Sequence, residues 1–232
     1  MERKHKHKMK RILILGIYVL GIFCLIYAKQ RIYDPHHKFS VAKAEVNLLK
    51  EKEIQDGDLI FQSSMSGQSK AIQLATHSKY SHCGIIYKEG KDYIVFEAVQ
   101  PVKKTPLDKW IARGDNGHYV IKRLKNSEEV LTLDVIKKMK EISKSFEGKN
   151  YDLCFEWTDN KIYCSELIWK IYQRATGIEI GKLEKLKNFD LSNSIVKQKM
   201  KERYGNKIPL EETVISPASI FDCPFLETVR SN

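Results

Sequence analysis

Two apolar runs joined by a short polar connection occupy the centre of the chain, in the segment YSHCGIIYKEGKDYIVFEAV. Apolar alternation on both sides of a connection that contains a glycine predicts an antiparallel β-hairpin. If Ile86 pairs with Tyr93, then His82 comes opposite Glu97 and both side chains lie on one face. A shift of the pairing by one residue would place them on opposite faces, so the predicted contact depends on the register.

The remaining sequence alternates between strand and helix patterns. Short strands are predicted at Leu59–Phe61 and in HYVIKRL. Helices are predicted in SGQSKAIQLATHS, in SEEVLTLDVIKKMKEISKSF, in YCSELIWKIYQRATG, at Asp190–Tyr204 and from SPASIFD. This pattern indicates an α+β fold in which helices pack against a small antiparallel sheet or half-open barrel.

Cys164 begins the helix predicted for YCSELIWKIYQRATG. Unpaired N–H groups and the positive end of the helix dipole gather at a helix start. Both lower the pKa of a thiol, which favours the thiolate that a cysteine nucleophile needs. The backbone N–H of Cys164 is also placed to point at a developing oxyanion. On position alone, a buried structural cysteine is an open alternative, since free cysteine is often buried.

Glu97 interrupts an otherwise apolar strand, and a buried glutamate is rare without a partner. On the same face as His82, its carboxylate would orient the imidazole and stabilise the imidazole cation, which is the third role in a Cys-His-acid triad. Two plainer interpretations stay open. His82 could be an ordinary core or surface histidine, and Glu97 could be a strand-end carboxylate that reaches solvent.

Five separated motifs carry a family resemblance. GDLIF, YSHCGI, FEAV, YCSEL and the closing SPASIF resemble, in this order, the circularly permuted papain-like hydrolases of the NlpC/P60 superfamily, in particular the YiiX/YebB-like group. In ordinary members the catalytic cysteine precedes the histidine, whereas in the permuted group the histidine strand comes first, as in this chain. The resemblance runs from about residue 54 to about residue 223.

The resemblance implies a papain-like fold and assigns roles to site residues. Cys164 would be the nucleophile, His82 the general base and Glu97 the orienting acid. Tyr163 would line the site beside the nucleophile, and Ser81, next to the histidine, is a second substrate-binding candidate. The implied reaction needs no metal and no organic cofactor.

The cysteines argue against a disulfide scaffold or a zinc site. They are Cys24, Cys83, Cys154, Cys164 and Cys223. Their number is too low for a disulfide framework, and no C-x-x-C pair is present. Cys83 departs from the family pattern, which has an aliphatic residue directly after the histidine. Strand alternation turns its side chain away from the site, so we interpret it as a core residue.

The N-terminus predicts a membrane anchor. MERKHKHKMKR carries six Lys or Arg against one Glu, and the uncharged run Ile12–Ala28 follows it. This run is at the lower end of the length that crosses about 30 Å of hydrocarbon. We expect an uncleaved signal anchor with its basic end in the cytoplasm and the body of the protein outside. A cleaved signal peptide, which would give a secreted protein, and a buried helix are the alternatives.

These features divide the chain into three parts. Residues 1–30 form the basic tail and anchor, residues 31–52 a linker, and residues 53–232 the hydrolase domain. The formal net charge of the chain is +11. Eight Lys and Arg residues lie in the segment Lys182–Lys207. That segment is either a solvated face or a contact for anionic lipid or cell-wall polymer. No motif for binding nucleic acid is present.

The expected function is a membrane-tethered thiol hydrolase that cleaves an amide bond in a peptide, an isopeptide or another acyl amide. Its substrate would come from the cell wall or from lipid. Two alternatives are a lipid acyl hydrolase or acyltransferase on the same scaffold, and a non-catalytic module that binds peptides or lipids. The sequence carries no indication of the oligomeric state.

Overall fold

The computed structural model describes residues 35–51 and 54–232. Its helices are α1 Pro35–Glu51, α2 Gly67–Thr76, α3 Leu107–Arg113, α4 Ser127–Val130, α5 Leu133–Phe146, α6 Cys164–Thr176, α7 Ser194–Tyr204 and α8 Pro217–Phe221. Its strands are β1 Leu59–Gln62, β2 His82–Glu89, β3 Asp92–Glu97, β4 Lys103–Pro106, β5 Val120–Leu124, β6 Asn150–Tyr151, β7 Lys161–Ile162, β8 Glu184–Lys185, β9 Thr213–Val214 and β10 Leu226–Ser231.

A six-stranded antiparallel sheet in the order β10-β5-β1-β2-β3-β4 forms the centre of the fold. Alternate residues of its strands point to opposite faces. Phe61 and Ile85 pack with α5 and α6 on one face, and Ile60 and Ile86 pack with α1 and α3 on the other. A mixed α+β fold with helices on an antiparallel sheet is therefore confirmed.

The central hairpin forms as predicted, but in a different register. Ile86 pairs with Val95, and Lys88 pairs with Tyr93. The predicted pairing of Ile86 with Tyr93 is wrong by two residues because the connection is only a two-residue turn. Gly90 takes a φ of 61° in this turn, as tight hairpin turns require. An even shift leaves every side chain on its predicted face.

Two predicted helices differ in extent from the observed ones. The single helix predicted from Ser127 is broken into α4 and α5, because the side chain of Thr132 accepts a hydrogen bond from the N–H of Val135 and starts a new helix. The helix predicted from Asp190 starts at Ser194, where Asn193 is the N-cap.

Within the part of the chain that the structure describes, the helices are too short or too polar to cross a membrane. The predicted anchor Ile12–Ala28 lies outside the described residues.

The close packing around Gly84 in the hairpin predicts that an added side chain there lowers the stability of the fold. A Cβ at this position would lie 2.4 Å from Cγ1 of Val95 and 3.0 Å from the carbonyl oxygen of Phe96. We expect Gly84→Ala to destabilise the fold by about 1–3 kcal/mol, which lowers the melting temperature by about 2–4 °C per kcal/mol in a domain of this size.

Gly67→Ala is the matched control. Gly67 begins α2, and the nearest atom to its added Cβ is a lysine side-chain carbon at 3.5 Å. Since alanine is a better helix former than glycine, this variant should melt at the wild-type temperature or above. Equal melting temperatures for both variants would show that the hairpin tolerates a side chain at position 84.

Candidate active site

Cys164 is the first residue of α6, and the helix start is fixed from inside the protein. The carboxylate of Glu166 accepts a hydrogen bond from the backbone N–H of Tyr163 at 3.4 Å. The ammonium of Lys170 donates to the same carboxylate at 2.7 Å. Glu166 and Lys170 are both buried, so this contact links the first two turns of the helix. Burial outweighs the hydrogen bond from Lys170 and raises the pKa of Glu166 to about 8. Cys164 itself is 2% exposed.

His82 and Glu97 are brought together as predicted. Nε2 of His82 lies 2.5 Å from Oε2 of Glu97, and Glu97 is fully buried. The carboxylate also accepts from Thr105 Oγ1 at 2.6 Å, from Trp110 Nε1 at 3.0 Å and from Arg113 Nη2 at 2.5 Å. The ring of His82 stacks on Trp110 at a centroid distance of 6.0 Å. The interpretation of Glu97 as a carboxylate that reaches solvent is therefore wrong.

The surroundings of Glu97 and His82 keep both groups charged. Burial raises the pKa of Glu97, but hydrogen bonds and charge from His82 and Arg113 outweigh it and lower the pKa to about 2. Burial lowers the pKa of His82, but the interactions with Cys164 and Glu97 outweigh it and raise the pKa to about 9. The imidazolium is thus held between a carboxylate and the Cys164 sulfur.

The thiol of Cys164 lies beside two side chains of β2. Interaction with the Cys83 thiol lowers the pKa of Cys164, burial raises it, and the His82 imidazole lowers it further, so that the pKa falls well below the usual value of 9.0. Because Glu97 occupies Nε2 of His82, Nδ1 is the ring nitrogen left to face the sulfur. The three groups Cys164, His82 and Glu97 form one charged chain.

Cys83 requires a partial correction. It is fully buried and belongs to the apolar core, as predicted, but its side chain does not point away from the site. The helix that carries Cys164 packs on the face of β2 to which Cys83 points, and β2 begins at His82. Cys164 lies at the start of that helix. Its side chain therefore lies beside Cys83, on the face of β2 that packs against the helix, and beside His82, the first residue of β2.

The two substrate-binding candidates occupy different walls of the site. Tyr163 lines a cavity beside Cys164, and its hydroxyl oxygen accepts the N–H of Ile215 at 3.1 Å. Ser81 lines a polar cleft on the side of His82, and its Oγ lies 2.5 Å from Oγ of Ser69. Both residues are buried, so each supports the wall of the site and exposes little of its own surface to a ligand.

The site opens into two spaces, of which the second carries more polar side chains on its wall. An apolar cavity of about 90 Å³ extends from Cys164 between α2 and α7. Its apolar lining includes Ala71, Ile72, Ala75, Leu186, Val196, Met200 and Ile215. A polar cleft of about 500 Å³ extends from His82. Its polar lining includes Gln62, Ser64, Ser66, Gln68, Gln100 and Arg113. One group can therefore bind beside Cys164 and a second group beside His82.

Tyr151 joins these two spaces and was missed by the sequence analysis. It lines both the cavity and the cleft. Burial raises the pKa of its phenol, and the charge on Cys164 raises it further, so the hydroxyl keeps its proton. Nε2 of Gln68 donates to the phenol oxygen at 3.0 Å, which leaves the O–H free to donate into the site. Tyr151 stands in a two-residue strand, which no local sequence pattern predicted.

Comparisons with known proteins agree with this architecture. The model of a family described as permuted papain-like amidase enzymes, YaeF/YiiX, C92 family, matches residues 53–230. The uncharacterized protein YiiX of Escherichia coli (strain K12) is 53% identical over 175 residues, which are 75% of this chain and 85% of YiiX. A crystal structure of metalloprotein YiiX from Escherichia coli O157:H7 has 53% sequence identity and a TM-score of 0.73, and the match covers 77% of this chain and 97% of that one.

The protein in that crystal structure is described as a metalloprotein. Among residues 35–51 and 54–232 of this chain, no group of three or more His, Cys, Asp or Glu side chains is arranged to hold a metal ion. The groups beside the Cys164 thiolate are the Cys83 thiol and the imidazole of His82, whose Nε2 is bonded to Glu97.

The charged state of Cys164 can be measured by alkylation. Since its pKa lies well below 9.0, we expect the rate of iodoacetamide labelling of Cys164 to fall much less between pH 8 and pH 6 than the rate for an ordinary thiol. An ordinary thiol with a pKa near 8.5 slows about tenfold per pH unit in this range. Peptide mass spectrometry gives the rates, with a small free thiol in solution as the reference.

Glu97→Gln serves as the comparison variant, with circular dichroism to confirm its fold. A neutral amide does not stabilise the imidazolium, so the labelling profile of Cys164 is expected to move to higher pH. A wild-type Cys164 that slows tenfold per pH unit, as an ordinary thiol does, would show that no thiolate–imidazolium pair exists at rest.

Proposed function

Because this chain belongs to the permuted papain-like amidase family and is a cysteine hydrolase of that family, we propose that Cys164, His82 and Glu97 hydrolyse an acyl amide with an apolar acyl group. The observation that carries the proposal is the position of the Cys164 sulfur between the imidazole and the apolar cavity. An amidase family favours amide hydrolysis over the alternatives of ester chemistry or a purely binding role.

The first step is attack of the Cys164 thiolate on the amide carbonyl carbon. No general base has to remove a proton at that moment, since the interaction with His82 keeps the thiolate formed. His82 then gives its proton to the leaving nitrogen, which departs as the amine. Glu97 holds the imidazole in the orientation that this transfer requires and balances its charge.

The oxyanion formed in this attack needs hydrogen-bond donors. The backbone N–H of Cys164 is at the start of α6, where helix N–H groups are unpaired. The hydroxyl of Tyr151 is the second donor in our proposal, because its oxygen already accepts from Gln68 and its proton is free. Water, deprotonated by the neutral His82, then hydrolyses the thioester and regenerates the thiolate.

The pH range of this mechanism follows from the pKa shifts of Cys164 and His82. The pKa of Cys164 is lowered, so the thiolate is present above that lowered value and is lost below it. The pKa of His82 is raised to about 9, so the proton needed by the leaving amine is present below pH 9 and is lost as the pH rises through that value. Activity is therefore expected on a broad plateau that ends near pH 9.

The substrate proposal is tested with straight-chain N-acyl p-nitroanilides of increasing acyl length. We expect kcat/KM to rise with chain length until the cavity is filled, since each buried CH₂ contributes about 0.8 kcal/mol. Cys164→Ala should abolish hydrolysis. Ala75→Phe, which narrows the cavity, should shorten the preferred chain and leave short substrates unaffected. An acetyl anilide cleaved as well as the longer ones would contradict an acyl site in this cavity.

The membrane tether is part of the same proposal. The uncharged run Ile12–Ala28 behind a basic tail supports it, and an anchored enzyme would act outside the cytoplasm on lipid-derived or cell-wall amides. Deleting residues 1–30 is expected to move the protein from the membrane fraction to the soluble fraction without changing its anilide hydrolysis. A truncated protein that is as membrane-bound as the full chain would contradict the tether.

A further inference from the structure

One buried polar side chain at the active site lacks a hydrogen-bond partner. Gln62 is the last residue of β1 and is 1% exposed, yet its oxygen Oε1 has no partner among the described residues. Buried polar atoms are almost always paired, so each exception calls for an explanation. A group that arrives with the substrate would satisfy this amide.

Gln62 lies on the wall of the cleft beside His82. It pairs across the sheet with His82, and both residues line the polar cleft. Directly opposite cross-strand neighbours have their side chains about 5 Å apart on one face. The amide therefore stands beside the imidazole that delivers the proton to the leaving nitrogen.

The fold keeps space for the amide in this position. A Cβ at Gly114 would lie 2.4 Å from Oε1 of Gln62, so the glycine at the end of α3 leaves room for the amide in the position that it occupies. The neighbouring Arg113 already donates to Glu97 at 2.5 Å, and its side chain is 41% exposed at the cleft. The wall next to His82 thus offers an unpaired acceptor and a guanidinium to the same ligand.

We infer that Gln62 binds the amine component of the substrate, by accepting a hydrogen bond from an amide N–H that this component carries. The inference rests on the proposed function, because the amine side is defined by His82 as the proton donor. It narrows the substrate class to an apolar acyl group joined to an amino-acid amide or a peptide. The acyl group occupies the apolar cavity and the peptide part occupies the polar cleft.

Two model substrates that differ only in the leaving amine test this inference. N-octanoyl-glycinamide carries the amide N–H, whereas N-octanoyl-propylamide has a leaving group of similar length without it. We expect the wild-type enzyme to favour the glycinamide about tenfold in kcat/KM, as one hydrogen bond to a buried acceptor would give. Gln62→Met should lose that preference, because the glycinamide rate should fall more than the propylamide rate.

The stability of Gln62→Met separates binding from structure. Since the buried acceptor has no partner in the free protein, its removal should leave the melting temperature unchanged or raise it. A structural glutamine would instead lower it. The exposed Gln55, outside the cleft, provides the control Gln55→Met, which should keep the preference and the rate.

Each remaining outcome decides the question. Equal wild-type rates on both substrates, or equal losses on both in Gln62→Met, would overturn the inference while leaving the proposed hydrolysis intact. If the wild type cleaves neither substrate, the proposed function fails. In that case, both compounds are titrated into Cys164→Ala, with and without Gln62→Met, and the binding affinities test the inference about Gln62. A glycinamide preference that disappears with Gln62 supports the inference, and its absence rejects it.

Discussion

The buried carboxylate of Glu97 is the interaction on which the site depends. A fully buried charge is costly unless hydrogen bonds and opposite charge surround it. Four donors from β2, β4 and α3 meet on this one group, so it joins three elements at the end of the sheet where the cleft opens. The position of His82 follows from this network rather than from its own strand alone.

The charges of Glu97 and His82 affect both the stability of the fold at different pH values and the proposed catalysis. The pKa of Glu97 is depressed from 4.5 to about 2, so its ionisation stabilises the fold above pH 4.5, and this contribution is lost as the pH falls toward 2. The raised pKa of His82 works in the opposite direction, since its charge stabilises the folded state at lower pH and is lost as the pH rises through about 9. Both groups are therefore charged in the range where the thiolate of Cys164 is needed.

The sequence predicted the parts of the site that local patterns encode. Hairpin alternation brought His82 and Glu97 to one face, and helix periodicity placed Cys164 at a helix start. The register was wrong by two residues because loop length is set by turn geometry, which apolar alternation does not reveal. The contact of Cys83 with Cys164 was missed because strand alternation gives the face of a side chain but not which helix packs on that face. Tyr151 and Gln62 depend on contacts between distant segments and left no local signal.

Glu97 and Gln62 show two opposite treatments of buried polar groups in one site. Glu97 accepts four hydrogen bonds, which fixes its geometry before any substrate arrives and lets His82 act without rearrangement. Oε1 of Gln62 accepts none, and the unfavourable energy of that unpaired atom is relieved only when a matching donor binds. A site built in this way discriminates strongly, because a ligand without the donor leaves the buried acceptor unpaired. In the proposed mechanism, the carboxylate fixes the catalytic geometry and the amide of Gln62 selects the leaving group.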